Sequence, residues 1–583
     1  MSGQSDFELF KILFDHEIPR GITIDTNVEE LRKSLIESGL DRRFVKNLID
    51  VLEAGITLRI EWEFFEDYDK DEMRSRIARR TMLKTEVVSE LLDLLHDVCG
   101  IQPVESYSDL SFEDSDNGLE VSVCDKSIIY AKIPSMVIYN NEMREVNYIS
   151  NFGFSSCESL TSIEIPDSVK GLGIAAFSCC ISLKSVVIPN SVTIIGVSLF
   201  DLCKSLTSVI IPDSVEKIGN SAFQFCQSLN SIIIPDSVKE ISDCAFYHCD
   251  SLEYIVIPSS VEMIGNGVFD GCTSLVSIDV SPDNKQYCSL EGVLYDKDKT
   301  VLLKCPPARQ LKEFKVPDSV ITIKKGSFQD CSHIVSIVMS DSVKEIDYAF
   351  LGCISLKFIN IPDSVTKIDD CAFDCCRSLI SLEVSSNNNY YESLSGVLYK
   401  KGMSALIKYP PNRSESSFSI PDSVTCVETG AFKNSRNLKY IAVPDSVIDI
   451  KKQAFGCCMS LESVDLHSPV TEISAGAFEC CQSLKTIHLP KTVEQIGIDA
   501  FSHCPSLESI TIPDSIIKIS SKAFENCKSL RSVIVLGSIE TIDDGAFYGC
   551  GSLDEKSKEM VLKINPKAIE RPPGFFDRLF RKK

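Results

Sequence analysis

Twenty-five cysteines and seven histidines are the residues of this 583-residue chain best able to hold a metal or attack a substrate. Four cysteine pairs stand side by side, Cys179-Cys180, Cys375-Cys376, Cys457-Cys458 and Cys480-Cys481, and adjacent thiolates are the usual raw material of a zinc site. No C-x-x-C pair follows them at finger spacing, and none of the histidines falls into H-E-x-x-H or a comparable pattern. A G-x-S-x-G elbow, a Walker loop and a dinucleotide fingerprint are missing as well. The carboxylates are scattered over loops, so no acid–base pair can be nominated. The expectation is a protein that is not an enzyme, with no cofactor and no metal.

Position explains the cysteines better than chemistry does. Fourteen of them, from Cys157 to Cys550, sit three residues after a phenylalanine of a regular series that runs from Phe154 to Phe547. Of the fourteen intervals in that series, eleven are 23 residues, one is 22 and two are 59, which is 23 plus a 36-residue insertion. A fixed period in the 20s predicts a solenoid. At the fifteenth position stands Ser435. Coils about 4.8 Å apart would bring neighbouring thiols within bridging range. A position tied to the repeat that tolerates Ser reads as packing by free thiols instead.

Residues 206–228 show what one repeat must do. Leu206-x-x-Val209-x-Ile211 has the form of a short strand lining a horseshoe. Pro212 ends that strand, because it cannot donate to a ladder. Asp213 and Ser214 are expected to bond the local backbone, and Gly219 to permit the next bend. Val215, Ile218, Ala222, Phe223 and Cys226 complete the inward set. Burying one Phe is worth roughly 1.5–3 kcal/mol, whereas ordering one backbone residue costs about 1–2 kcal/mol. A lone coil therefore cannot stand, and only stacking makes the array stable.

The recurring Ile-Pro-Asp-Ser-Val-x-x-Ile-Gly-x-x-Ala-Phe-x-x-Cys-x-Ser-Leu resembles the BspA-like leucine-rich repeat. It is nearly complete at Ile211–Leu229 and stands with single changes at Ile234–Leu252, Ile361–Leu379 and Ile512–Leu530. The resemblance covers residues 153–553. It implies a leucine-rich-repeat horseshoe of about 15 coils, with short parallel strands on the concave face. It also implies protein binding without chemistry, often as a bacterial surface adhesin for host matrix proteins.

Around this array the sequence places four further parts. Residues 1–101 read as a small all-α domain of two related helical hairpins, with a capping box at Thr26-Asn-Val-Glu29. That domain could cap the array, drive self-association or act as a signalling effector whose sensor is the repeats. Residues 102–152 read as the N-terminal cap of the solenoid. The insertions, near 281–316 and 385–420, match each other at an offset of 104, as in Tyr287–Tyr295 with Tyr391–Tyr399. They are expected to be enlarged coils, with a projecting finger as the alternative, and Val293–Tyr295 and Val301–Leu303 to form a hairpin. Residues 554–583 read as a C-terminal tail, ending in three Phe, one Leu and four cations between Pro572 and Lys583.

The net charge of −24 argues against nucleic acid or an anionic membrane as partner. Neither a secretory signal nor an apolar run long enough to span a bilayer is visible. The expected location is cytoplasmic, with the cell surface as alternative. The partner is therefore expected to be a protein, held on the concave strand face by non-catalytic interaction. Candidate contact residues are Val187, Ile210, Ile233 and Val256, which occupy one outward column on four successive strands. Tyr254, Phe358 and Tyr440 stand at the flanking outward position. A contiguous exposed apolar patch flags a binding site, against the plain alternative of β-branched residues serving strand propensity.

Overall fold

The computed structural model describes residues 102–103, 107–123, 125–140 and 142–571. These fall into two compact units: residues through Cys180 with Val186–Thr193, and Ile181–Ser185 with Ile194 onward. The helical domain expected in residues 1–101 lies outside the described residues, as do the self-association and effector roles attached to it.

In the first unit, Leu110–Ser115 and Gly118–Val123 form one antiparallel hairpin, and Met136–Tyr139 and Glu142–Ile149 form another. Gly118–Val123 then pairs in parallel with Glu142–Ile149, which pairs in parallel with Gly171–Leu172 of the regular coils. Two hairpins thus cover the edge from which parallel stacking starts, and an uncovered edge invites pairing with other chains. Leu119, Val121, Val137, Val146 and Ile149 are wholly buried beneath them.

The second unit is built from two columns of short parallel strands. Longer ones such as Tyr254–Ile257, Ser336–Val338 and Ser509–Ile512 line one face. Two-residue strands such as Lys217–Ile218, Glu240–Ile241 and Met263–Ile264 line another. Register advances by one repeat per coil, Lys217 opposite Glu240 and Glu240 opposite Met263. The 22-residue interval is absorbed in the same way, with Ser336 opposite Phe358.

Between the columns the phenylalanines form stacks. Phe432, Phe455, Phe478, Phe501, Phe524 and Phe547 follow one another with ring centroids 4.9–5.3 Å apart. Each also ties its backbone to the next coil, as Phe501 N–H does to the Ala523 carbonyl at 2.8 Å. The residues two before and two after the ring are left-handed at most coils, Ser221 at φ 55° and Phe225 at φ 56° for example, and at Phe350 and Phe373 only the later one is. Such a residue costs roughly 1–2 kcal/mol. Two sharp corners are what turn Ala222, Phe223 and Cys226 inward together.

The repeat thiols are all buried, and they do more than fill space. Cys226, Cys249, Cys481 and Cys504 each donate to the carbonyl of the phenylalanine one coil back, at 3.1–3.2 Å. Two local expectations need correction. The serine of Pro-Asp-Ser-Val reaches the preceding coil rather than its own turn: Ser237 and Ser364 donate to the Val215 and Val343 carbonyls at 2.6 and 2.7 Å. Gly219 has an ordinary backbone, and its need is space, since a Cβ there would lie 2.8 Å from the Ile195 carbonyl oxygen.

The reading of 15 coils is also too low. Each 36-residue stretch is a coil in its own right, with Cys305 and Tyr409 at the phenylalanine position. Cys305 N–H bonds the Ser327 carbonyl, one residue ahead of Phe328, and the Tyr409 ring stacks on Phe432 at 5.3 Å. The array has about 18 turns. Its C-terminal end is not a tail from residue 554 onward. Glu555–Ile564 is a helix, N-capped by Asp554, whose carboxylate accepts from Ser557 N–H at 2.7 Å. Ser557 Oγ takes the Val533 N–H of the last long strand, and Ala568 receives the N–H of Phe547. This helix closes the stack.

Phe478, with stacked rings on both sides and no exposed surface, should be expensive to truncate. Phe478→Ala is expected to lower unfolding free energy by about 3–5 kcal/mol, and the exposed Ile233→Ala to change it by less than about 0.5 kcal/mol. Urea titrations of the two variants against the parent check this; equal losses would contradict the packing described.

Candidate binding face

Alternation along the longer strands places their inner residues in the core and their outer ones in solvent. Strand Tyr254–Ile257 shows it, with Ile255 and Ile257 buried while Tyr254 and Val256 are 55% and 57% exposed. One and two repeats earlier, Ile233 is 83% and Ile210 is 61% exposed. These four residues stand on three successive coils of the second unit. Val187 is exposed too, on strand Ser185–Val187 at the end of the first unit. Phe358 and Tyr440 are exposed further along the second unit, on coils separate from that group and from each other. Tyr440 is also engaged, donating its hydroxyl to Asp465 at 2.9 Å.

Charge divides this face. The segments Leu206–Ile211 and Leu229–Ile234 contain no charged residue. The next strand brings Glu253, and the one after it Asp279, paired in register with Val256. Towards the C-terminus, Lys439, Glu462, Lys485, Glu508 and Arg531 alternate at one-repeat intervals, with Lys439 and Glu462 3.2 Å apart.

Each insertion coil breaks the ladder of longer strands, and the first forms a cleft there. Tyr287–Leu290 and Val293–Asp296 make an antiparallel hairpin, and Val301–Lys304 adds a third strand. The expected hairpin of Val293–Tyr295 with Val301–Leu303 is present, with Tyr295 opposite Leu302; the outer strand Tyr287–Leu290 is an addition to it. At the hairpin tip Glu291 and Gly292 are left-handed, φ 52° and 76°, the two-residue turn that suits strand twist. Gly292 O accepts the Ile278 N–H, in place of a next strand, and a Cβ on Gly292 would collide with Ser277. Gly396 repeats this with Leu382 and Ser381. Beside the first tip opens a cleft of about 770 Å³, lined by residues including Glu253, Ser277, Glu291, Arg309 and Leu311.

Buried polar residues invisible to the sequence reading hold the hairpins down. Asn284, fully buried, donates to the Pro258 and Val261 carbonyls and accepts the Gln286 and Tyr287 N–H groups. Asn388 repeats this one insertion later. Tyr287 and Tyr391 accept the N–H groups of Ile264 and Ile368. Lys304 Nζ, buried, lies 2.6 Å from Asp270 and 2.8 Å from the Gly326 carbonyl; Lys408 meets Gly430 and Asp374 likewise. The offset of 104 between the insertions pairs all of these, so comparing the duplicates for polar identities would have found them.

The cysteine pairs are split by geometry. In each, the second cysteine is an inward repeat thiol, and the first sits at the left-handed position two residues after the ring, as Cys457 and Cys480 do at φ 56° and 58°. Burial pushes several inward thiols up, Cys272, Cys458 and Cys504 to about 12, whereas a side-chain hydrogen bond with Cys180 holds the Cys157 thiol below its usual value. Burial also lifts the outer Cys480 to about 11, with help from Cys457 and Glu479. Thiols shifted this way hold little thiolate at neutral pH, the opposite of a reactive cysteine.

The family model for the BspA type leucine rich repeat region matches residues 130–211, 193–290, 307–396, 411–531 and 494–570. No match was found among curated proteins. Among solved structures, the chain is similar to a leucine rich cell surface protein from Faecalibacterium prausnitzii, at 30% identity over 74% of this chain and 94% of that one, with a TM-score of 0.36. It is similar to a leucine-rich repeat protein from Bacteroides ovatus at 22% identity, covering 79% and 96%, TM-score 0.33. The pneumococcal vaccine antigen PcpA is similar at 20% identity, covering 73% and 99%, TM-score 0.39. None of these likenesses supports the cytoplasmic placement. No helix among the described residues is long and apolar enough to cross a membrane.

The raised thiols give stability a pH window. A thiol ionising near 9 when unfolded and near 12 when folded holds its proton more tightly in the folded chain, so its contribution is complete below pH 9 and is lost as pH rises towards 12. Urea midpoints are expected to fall between pH 8.5 and 11, and to fall less steeply in Cys504→Ala than in the parent. Identical slopes would remove the thiols from the explanation.

Proposed function

We propose that the chain, which belongs to the BspA-type leucine-rich repeat family, is a non-catalytic scaffold that binds a protein partner on the outward face of its longer strands. One observation carries the reading: Ile210, Ile233, Val256 and Tyr254 stand exposed on three successive coils, two of which bring no charge to that face. Strand propensity alone does not require them. The same outward column holds Asp279, Asn360, Glu383, Asp465 and Thr511 elsewhere, and those coils stack equally well. Covering one such side chain is worth roughly 1.5–3 kcal/mol before the cost of association is met. Rigid strands hold the band ready, so little ordering is needed on the scaffold's side.

An adhesin role is the second reading, favoured by the family resemblance, and it uses the same face with a foreign protein as partner. Protease treatment of intact source cells separates the two. Digestion before lysis supports the adhesin, and protection until lysis supports a partner within the cell.

The face itself is tested with a photo-crosslinking residue in place of Ser231. Discrete protein adducts are expected, reduced at least about tenfold when Ile210→Thr and Ile233→Thr are combined, which keeps the β-branched strand and removes the apolar band. A crosslinker at Lys217, on the two-residue-strand face, should give none of these adducts. Adducts indifferent to the double substitution would overturn the reading.

A further inference from the structure

The apolar band does not end blindly. Tyr254 and Val256 adjoin Glu253, which lines the cleft beside the first hairpin, and Asp279 stands opposite Val256. Glu291 at the hairpin tip is largely exposed, 3.5 Å from the mostly buried Arg309. An apolar strip of Ile, Ile, Val and Tyr therefore runs into a cleft lined by two carboxylates, Glu253 and Glu291, and one guanidinium, with a third carboxylate, Asp279, in register with Val256. A fitting occupant is a short segment that is apolar along part of its length and cationic at one end.

Residues 572–583, Pro-Pro-Gly-Phe-Phe-Asp-Arg-Leu-Phe-Arg-Lys-Lys, have that composition: Phe575, Phe576, Leu579 and Phe580, with Arg578, Arg581, Lys582 and Lys583. They follow directly on Arg571, the last described residue, beyond the helix that closes the stack. Twelve extended residues reach at most about 40 Å. About a dozen coils separate the closing helix from the band, roughly 60 Å along the stack at about 4.8 Å per coil. The segment's reach thus suits a second copy rather than its own chain.

We propose that the band and cleft receive residues 572–583 of a second copy of this chain. The inference rests on the binding face assigned above and names one occupant for it. Apolar side chains lie across Ile210, Ile233 and Val256, and the terminal cations meet Glu253, Asp279 and Glu291. The contact is head-to-tail, with different surfaces on the two partners, so it propagates into open chains, or into rings where the rotation closes. Part of its strength is electrostatic between exposed groups, so it weakens with salt.

The test uses a fluorescein-labelled peptide of residues 572–583 and the chain ended after Arg571. Saturable anisotropy binding is expected, weakened about tenfold by Ile233→Lys, which sets an ammonium on an exposed site against the segment's apolar side chains, and weakened also by Glu253→Gln. The full-length chain should grow in mass with concentration in sedimentation velocity, and the shortened chain should stay monomeric. No peptide binding, binding indifferent to both substitutions, or a full-length chain that stays monomeric where the peptide saturates would each overturn the proposal. Crosslinks from position 231 to another protein without peptide binding would overturn the self-docking alone and leave the scaffold reading intact.

Discussion

The array depends on one repeated constraint: coil after coil sets a phenylalanine ring against the ring of the coil before it, with Cys305 and Tyr409 taking that place in the two longer coils. Stacked pairs keep their planes within 2–28° of each other, and the backbone spacing that permits this also suits parallel strand pairing. A coil one residue longer would have to absorb the excess in a loop or lose both ladders. The left-handed corners flanking the ring, the thiol bonded to the preceding ring's carbonyl and the serine bonded to the preceding valine's carbonyl all serve the same alignment. Each satisfies a backbone group that a strand of two to four residues is too short to satisfy by itself.

The two longer coils show how such an array tolerates interruption. Removing a strand from the ladder leaves donors and acceptors without partners in the core, a cost of about 1–3 kcal/mol for each orphaned group. Tyr287 and Tyr391 hydroxyls, the Asn284 and Asn388 amides and the Gly292 and Gly396 carbonyls take over those bonds. Buried Lys304 and Lys408 are held by paired carboxylates and carbonyls, which is the only way an ammonium survives there. In consequence the face of longer strands is divided into stretches, and the first division is what creates a cleft next to an uncharged band.

The repeat thiols turn out to be structural residues. A chain with 25 cysteines invites a search for metal or redox centres, yet the repeat thiols serve as small apolar donors, with ionisation opposed by burial. On the proposed reading, binding falls to side chains with no chemistry at all. Recognition by a rigid strand face needs only shape, exposed apolar area and the placement of charge around it.

The period of phenylalanine and cysteine by itself determined a solenoid of parallel strands, because one spacing repeated over some 400 residues admits few other arrangements. It also determined which strand residues face outward, since side chains alternate along a strand whatever surrounds them. The expectation of 15 coils falls short because Cys305 and Tyr409 fill the phenylalanine position with other residue types, and only the Cys305 N–H bond to the Ser327 carbonyl and the Tyr409 ring stacked on Phe432 reveal the equivalence. The closing helix was missed because Glu555–Ile564 is polar, and its place is set by contact with the last coil rather than by its own pattern. Tertiary structure alone decided that the serine hydroxyls bond a neighbouring coil and that paired cysteines point apart. It alone set a hairpin tip beside Glu253, since these relations join residues that only the stacking of coils brings together.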